Sequence, residues 1–422
     1  MIGFNEKDGV LHADNVPLTQ LAEEFGTPLY VYSAGVIRAQ YKALSDAMAN
    51  ALPKDRQPLL CYACKANSNL AVLSVLQKSG SGLEIVSEGE LRRGLKAGFN
   101  PETIVSTGVG KQASEIKACL EAGIHQFNVE SLPELFHIQR IAEGLDINAR
   151  VVFRLNPDVT GGGHHKISTG RSRDKFGIGH DRVFEGFEIA KDMSHVEAVG
   201  LSMHIGSQVF TVETFKEAFE KLPALVKELR GAGHTIERLD IGGGFPIVYD
   251  DEKLLDLSAY AQWVNDIVVP LDTEIIMEPG RYMVGNAGVL LSEVLYIKET
   301  HERNFLIIDA AMNDLIRPTL YDAYHGIEAV ENRDLEKVSY DVVGPVCETG
   351  DTFSTGRSLP LMNEGDLAVI KSTGAYGFCM ASNYNTRPMP AEVLVDGDQY
   401  SLIKPRQSYE DLIDNDIVPD FL

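Results

Sequence analysis

The chain has no run approaching the ~20 consecutive apolar residues that a membrane span needs. Its start, Met1-Ile2-Gly3-Phe4-Asn5-Glu6-Lys7-Asp8, has neither the basic opening nor the apolar stretch of a secretory leader. Cysteine is scarce. Five thiols, an odd number scattered through 422 residues, argue against a disulfide framework and for a reducing compartment. Positive charge is short as well: 38 lysines and arginines stand against 61 acids, a formal net charge of −23. A surface so charged repels nucleic acid and anionic membrane. Neither G-x-G-x-x-G nor G-x-x-x-x-G-K-[ST] occurs, so dinucleotide and Walker-type binding are not indicated. What these absences leave is a soluble cytoplasmic enzyme. Its 44% hydrophobic content is enough for a large core and two domains.

Between residues 30 and 280, short β-rich runs alternate with helical stretches. The runs are 59–64, 83–86, 104–106, 126–129, 149–155, 198–204, 238–241 and 274–277, and the helical stretches include 87–97, 112–122, 133–143, 214–231 and 258–268. Eight such runs suit a closed (β/α)8 barrel. A doubly wound open sheet is the alternative. The barrel is favoured because every run, not only those near one switch point, ends in polar or reactive residues: Lys65, Ser87, Thr107, Glu130, Arg154 and Asn156, His204, Gly242–Gly244, Glu278. After Gly280 the periodicity turns to strands with Gly-, Pro- and Asp-rich turns. The expected architecture is therefore a barrel over 30–280 and a mostly β domain formed by 1–29 and 281–422.

Several short motifs carry chemistry. Lys65 ends the apolar run 59–64, so its amine either points from a strand end into a pocket or, the commoner case for this feature taken alone, reaches out into water. Burial disfavours the ammonium and favours a nucleophilic amine, the group that forms an imine with an aldehyde cofactor. Asp240-Ile241-Gly242-Gly243-Gly244-Phe245 follows a strand, and its three glycines leave backbone N–H groups open to a phosphate or form a plain tight turn. Glu278-Pro279-Gly280-Arg281 puts a carboxylate at the barrel mouth, where it suits a metal, a base or a protonated pyridine nitrogen. His204, in Met203-His204-Ile205-Gly206-Ser207-Gln208, is a site residue or a satisfied core histidine. Adjacent His164 and His165 have no carboxylate or thiol at ligand spacing, so no metal is assigned. Cys61 and Cys64 point to opposite faces of a strand and cannot pair. Cys347 and Glu348, in Gly344-Pro345-Val346-Cys347-Glu348-Thr349-Gly350-Asp351, place a thiol beside a carboxylate, either as a turn with a buried cysteine or as a proton donor beside a group that binds an amine. Tyr376, in Ser372-Thr373-Gly374-Ala375-Tyr376-Gly377, offers a phenol on a glycine-flexed loop or belongs to a simple turn.

Taken together, YACKAN at Lys65, GLEIVSEGEL, HIGSQ, DIGGGF, EPGR, RPTLY, GPVCETGD, GAYGF and SNYNTRP resemble the alanine-racemase-like (fold type III) pyridoxal-phosphate decarboxylases over nearly the whole chain. The resemblance is strongest to the branch that acts on meso-2,6-diaminopimelate. It implies that Lys65 holds pyridoxal 5′-phosphate covalently, that His204 lies against the ring face and that Glu278 pairs with the pyridine nitrogen. Gly242, Gly243, Gly244, Ser207, the backbone near Gly280 and Tyr376 would cradle the phosphate. Arg281, Arg317 and Tyr321, with Tyr376 close by, would hold the substrate's distal carboxylate. Cys347 as proton donor and Glu348 as ligand for the distal amine would come from the partner subunit of a homodimer. Members acting on ornithine or arginine usually carry aspartate after the cysteine. Glu348 together with Arg317, and the stretch 166–178, therefore imply a substrate bearing both a carboxylate and an amine at its far end.

Overall fold

A computed structural model gives the fold, and residues 3–157 and 175–422 are described. The chain divides into two compact units. One comprises Arg38–Ile247 and Lys253–Met283, the other Met1–Ile37, Val248–Glu252 and Val284–Leu422.

The first unit is a closed barrel of eight parallel strands in chain order: Leu59–Ala63, Gly82–Ile85, Ile104–Ser106, Gln126–Val129, Ala149–Leu155, Val196–Met203, Arg238–Asp240 and Glu274–Met277. The last closes on the first through Ile276 opposite Leu59. Closure needs a tight approach of the sixth and seventh strands at Gly200, where a Cβ would lie 2.0 Å from the Arg238 carbonyl oxygen. Helices follow the strands, each started by its own local chemistry. Ser87 caps the helix Glu88–Lys96 by accepting from the Glu90 N–H, and Ser131 does the same for Leu132–Leu145. Gly123 closes Ala113–Ala122 in the left-handed region, at φ 73°. The stretch 214–231, expected as one helix, is two: Val212–Phe219, capped by Thr211, and Leu222–Gly231, with proline in its first turn. Proline at that position cannot donate to the preceding turn, so it starts a helix and does not continue one.

The second unit is built on a nine-stranded sheet. Its long strand Gly288–Glu299 pairs with Leu29–Ser33, Asn304–Ile308 and Leu367–Ile370. The N-terminal strands Phe4–Lys7, Val10–Ala13 and Val16–Pro17 form a small sheet of their own, and Phe4, Leu11, Leu29, Val31, Val289 and Val393 share one buried core. The boundary therefore falls at Ile37, beyond residue 29, because Leu29–Ser33 is fully buried and paired within this sheet. Thr352–Pro360, a polar strand without apolar alternation, was not expected from the sequence. Among the described residues no helix is long and apolar enough to cross a membrane.

Candidate active site

The barrel collects the expected polar residues at the carboxyl ends of its strands. Lys65 sits in a 3-10 turn, Cys64–Ala66, directly after the first strand. Its amine is not the bare, desolvated group expected from the sequence. Nζ binds both oxygens of Glu84, at 2.8 and 2.7 Å, and the Glu84 side chain is fully buried on the second strand. A buried carboxylate needs such a partner, and the pair gives the amine a fixed resting position.

His204 follows the sixth strand. Its Nδ1 accepts from the Gly243 N–H at 3.1 Å, so the neutral ring carries its proton on Nε2. Burial, then the positive charges of Arg154 and Lys65, hold it well below the ordinary histidine range. Arg154 is itself buried. It donates to Glu130 at 2.6 Å and lies 4.9 Å from the Phe176 ring centre, while the other Glu130 oxygen accepts from the Gly177 N–H.

The glycine run behaves differently from the open nest expected. The Gly242 N–H is taken by Asp240 and the Gly243 N–H by His204. A Cβ at Gly243 would lie 2.1 Å from the Glu278 carbonyl oxygen, and one at Gly242 would lie 2.5 Å from that of Met203. These glycines let the loops after strands six, seven and eight converge. Close backbone contact is their first role here. Arg281, buried beside Gly280 at the start of Arg281–Val284, donates to the Ser207 hydroxyl at 3.2 Å.

Glu278 is buried at the end of the eighth strand. Its Oε1 accepts from Asn128 at 3.1 Å and from Thr107 at 3.2 Å, and the same Asn128 amide reaches Asp240 at 2.8 Å. Burial, then the charges of Asp240 and Glu84, push Glu278 well above the usual carboxyl range.

The β unit carries the remaining candidates. Arg317, buried in the short helix Arg317–Tyr321, donates from Nε to His325 Nε2 at 3.3 Å. His325 in turn donates from Nδ1 to the Lys371 carbonyl at 2.8 Å, which makes Nε2 the acceptor. The Arg317 guanidinium lies 5.5 and 5.8 Å from the ring centres of Tyr249 and Tyr321. Tyr376 holds a left-handed φ of 56°. Cys347 and Glu348 are exposed, and they are held by the loop that follows: Asn385 accepts from the Cys347 N–H at 3.0 Å, and the Tyr384 hydroxyl donates to Glu348 at 2.9 Å. The residues 158–174, with His164, His165 and most of the stretch 166–178, lie outside the described residues.

Residues 35–285 match the family described as pyridoxal-dependent decarboxylase, pyridoxal binding domain. The diaminopimelate decarboxylase of Pseudomonas aeruginosa is 47% identical over 409 residues, 97% of each chain. The chain belongs to the diaminopimelate decarboxylase family. Among solved structures, the diaminopimelate decarboxylase from M. jannaschii superposes with a TM-score of 0.95 at 37% identity, over 100% of this chain and 99% of that one. The Helicobacter pylori diaminopimelate decarboxylase, complexed with L-lysine, gives 0.89 at 41% identity, over 94% and 98%.

The donor set fits the cofactor of this family, pyridoxal 5′-phosphate. An amine at the barrel mouth suits the aldehyde, a buried carboxyl suits a basic ring nitrogen, and the Ser207–Arg281 pair suits an anionic phosphate. Three site residues were not anticipated: Glu84, Asn128 and Asp240. The available signal was a polar side chain inside a buried parallel strand, as in Gly82-Leu83-Glu84-Ile85, where both faces are normally apolar.

Proposed function

We propose that this chain decarboxylates meso-2,6-diaminopimelate to L-lysine and carbon dioxide, the last step of lysine biosynthesis, with pyridoxal 5′-phosphate bound at the barrel mouth. The convergence of the Lys65 amine, the buried His204 ring and the buried Glu278 carboxyl, whose protonation burial favours, carries this reading. When bound, the cofactor supplies an aldehyde for the substrate amine and a ring that accepts an electron pair.

The chain's own residues do the rest. Lys65 would hold the aldehyde, and the Glu84 carboxylate would receive its amine whenever it is not so engaged. His204 would face the ring without adding charge, and Glu278 would pair with the pyridine nitrogen. Ser207, Arg281 and Tyr376, with the backbone of Gly244 and Gly280, hold the phosphate, and Gly242 and Gly243 contribute the close loop packing that shapes the cradle. Arg281, Arg317 and Tyr321 receive the substrate's distal carboxylate, with Tyr376 alongside. Glu348 receives its distal amine. Fixing both ends of the substrate would orient the carboxylate that leaves and select which bond breaks. Cys347 then delivers a proton to the carbon that lost the carboxylate.

Cys347 and Glu348 act, on this reading, in the site of a partner subunit. Their exposure supports this, because a thiol and a carboxylate held out on an ordered loop are available to a second copy of the chain. The presence of Glu348 together with Arg317 in the sequence favours a substrate with both an amine and a carboxylate at its distal end over ornithine or arginine. A carbon-dioxide release assay with meso-diaminopimelate, ornithine, arginine and lysine tests the choice. Fastest turnover on meso-diaminopimelate, with L-lysine as product, is expected; a higher kcat/KM on ornithine or arginine would overturn it.

A further inference from the structure

His325 lies just beyond the short helix that carries Arg317, and its buried ring joins that helix to Lys371, the residue after the strand Leu367–Ile370. Two hydrogen bonds fix its protonation. The Arg317 Nε–H can only donate, so Nε2, 3.3 Å away, accepts. The Lys371 carbonyl can only accept, so Nδ1, 2.8 Å away, donates. Only the neutral ring with its proton on Nδ1 meets both demands. The backbone beneath the ring is tied as well. The His325 carbonyl accepts from Arg357 Nη2 at 3.1 Å, and the Lys371 N–H donates to the Gly326 carbonyl at 2.8 Å. Arg357, on the strand Thr352–Pro360, also donates to the Tyr324 hydroxyl. The Tyr249 ring meets the imidazole edge-on, with centres 5.2 Å apart.

An acceptor of this kind does something an acid would not. Aspartate or glutamate in its place would orient the guanidinium and cancel its charge, whereas a neutral imidazole orients it and cancels nothing. The Tyr249 and Tyr321 rings, 5.5 and 5.8 Å from the guanidinium carbon, favour a cation in the same way. With Nε committed to histidine, a two-point grip on a carboxylate has to use the two terminal nitrogens of the fork. We propose that His325 is a positioning residue for Arg317 and, through it, sets the preference for a ligand with a carboxylate at its far end. This rests on the assignment of Arg317 to the distal carboxylate given above. Loss of the ring acceptor frees the guanidinium to turn but leaves it charged, so the effect falls on ligands that carry the distal carboxylate. Lysine, left when one end of diaminopimelate loses carbon dioxide, keeps the amine and the carboxylate of the other end. Cadaverine, the corresponding diamine, has neither carboxylate.

Titration of the cofactor-loaded protein with L-lysine and with cadaverine, followed by visible absorbance, is the test. The wild type should bind lysine more tightly. His325→Phe, which keeps a ring and loses the acceptor, should bind lysine roughly 10- to 100-fold more weakly, the range for a lost hydrogen bond to a charged group. Its affinity for cadaverine should hardly change, which also shows that the variant has folded. His325→Gln keeps an acceptor and should recover most of the lysine affinity. His325→Glu keeps an acceptor but cancels the charge, so lysine should again be lost and cadaverine retained. With meso-diaminopimelate the loss in His325→Phe should appear in KM, with kcat nearly kept. Equal weakening of both ligands in His325→Phe, unchanged lysine binding there, or a His325→Glu protein that binds lysine as His325→Gln does, would each overturn the proposal. Arg317→Ala separates this from the reading beneath it. Wild-type lysine affinity in Arg317→Ala would remove Arg317 from the carboxylate and take His325 with it. Lost lysine binding in Arg317→Ala beside intact binding in His325→Phe would refute the role of His325 alone.

Discussion

Cys347→Ala keeps its cofactor and loses roughly 100- to 10,000-fold of its turnover, the range associated with removal of a positioned proton donor. Lys65→Ala, which lacks the amine at the barrel mouth, retains no bound colour and no measurable rate. Each variant alone is therefore inactive. Mixed in equal amounts under conditions that let subunits exchange, they should recover about a quarter of wild-type activity, because half of the dimers are hybrids and each hybrid has one intact site. The recovery follows only if the thiol of one copy serves the amine of another. Mixtures that stay inactive after proven exchange would place Cys347 in the same copy's site, and a Cys347→Ala protein of normal rate would assign the proton to another group. The exposed position of Cys347 and its tether to Asn385 motivate the experiment.

The second large effect concerns Glu278. On the proposed reading, Glu278→Ala removes the carboxyl assigned to the ring nitrogen and should slow turnover on the order of 100- to 1,000-fold, a loss typical of deleting one preorganised electrostatic partner in a dry site. On the same reading phosphate anchoring falls to Ser207, Arg281 and the glycine loop, so the variant should still take up the cofactor with little change in affinity. Visible absorbance during titration reports the affinity and a stopped carbon-dioxide assay reports the rate. Wild-type turnover in a fully loaded variant would remove Glu278 from the chemistry. Loss of loading in step with loss of rate would instead make it a binding residue.

Much of this architecture can be read from residue order because parallel barrel strands are short, apolar and evenly spaced. Ile104–Ser106, Gln126–Val129, Ala149–Leu155 and Glu274–Met277 have the bounds expected of them. Where the reading fails, physical ambiguity is the reason. Leu29–Ser33 is a buried apolar run, and such a run serves a barrel or a sheet equally well until its pairing partners are known. Thr352–Pro360 has Thr, Ser, Gly and Arg where alternating apolar residues would mark a strand, and it is held by its ladder to Lys337–Val343.

The site divides along the same line. Lys65, His204, Glu278 and the glycine run follow strand ends, so position along the chain is enough to find them. Glu84, Asn128 and Asp240 lie inside strands. Their functional surroundings arise only when distant strands close into a ring and bring residues 84, 128, 240 and 278 together. Charge state is likewise a property of the closed ring. Lys65 looked like an amine stripped of charge by burial, but its partner, Glu84, is contributed by the next strand. The three glycines after Asp240 were legible as backbone without side chains. That their space is filled by the Met203, Gly206 and Glu278 carbonyls emerges only from the packing.

All of these roles depend on a covalent link between the cofactor and one amine. The direct measurement is borohydride reduction of the wild-type protein loaded with pyridoxal 5′-phosphate, followed by proteolysis and mass mapping of the fixed label. The account predicts one modified residue, Lys65, in the peptide containing Tyr62-Ala63-Cys64-Lys65, with no label in Lys65→Ala. A label on another lysine, or a loaded protein from which nothing is fixed, would contradict it.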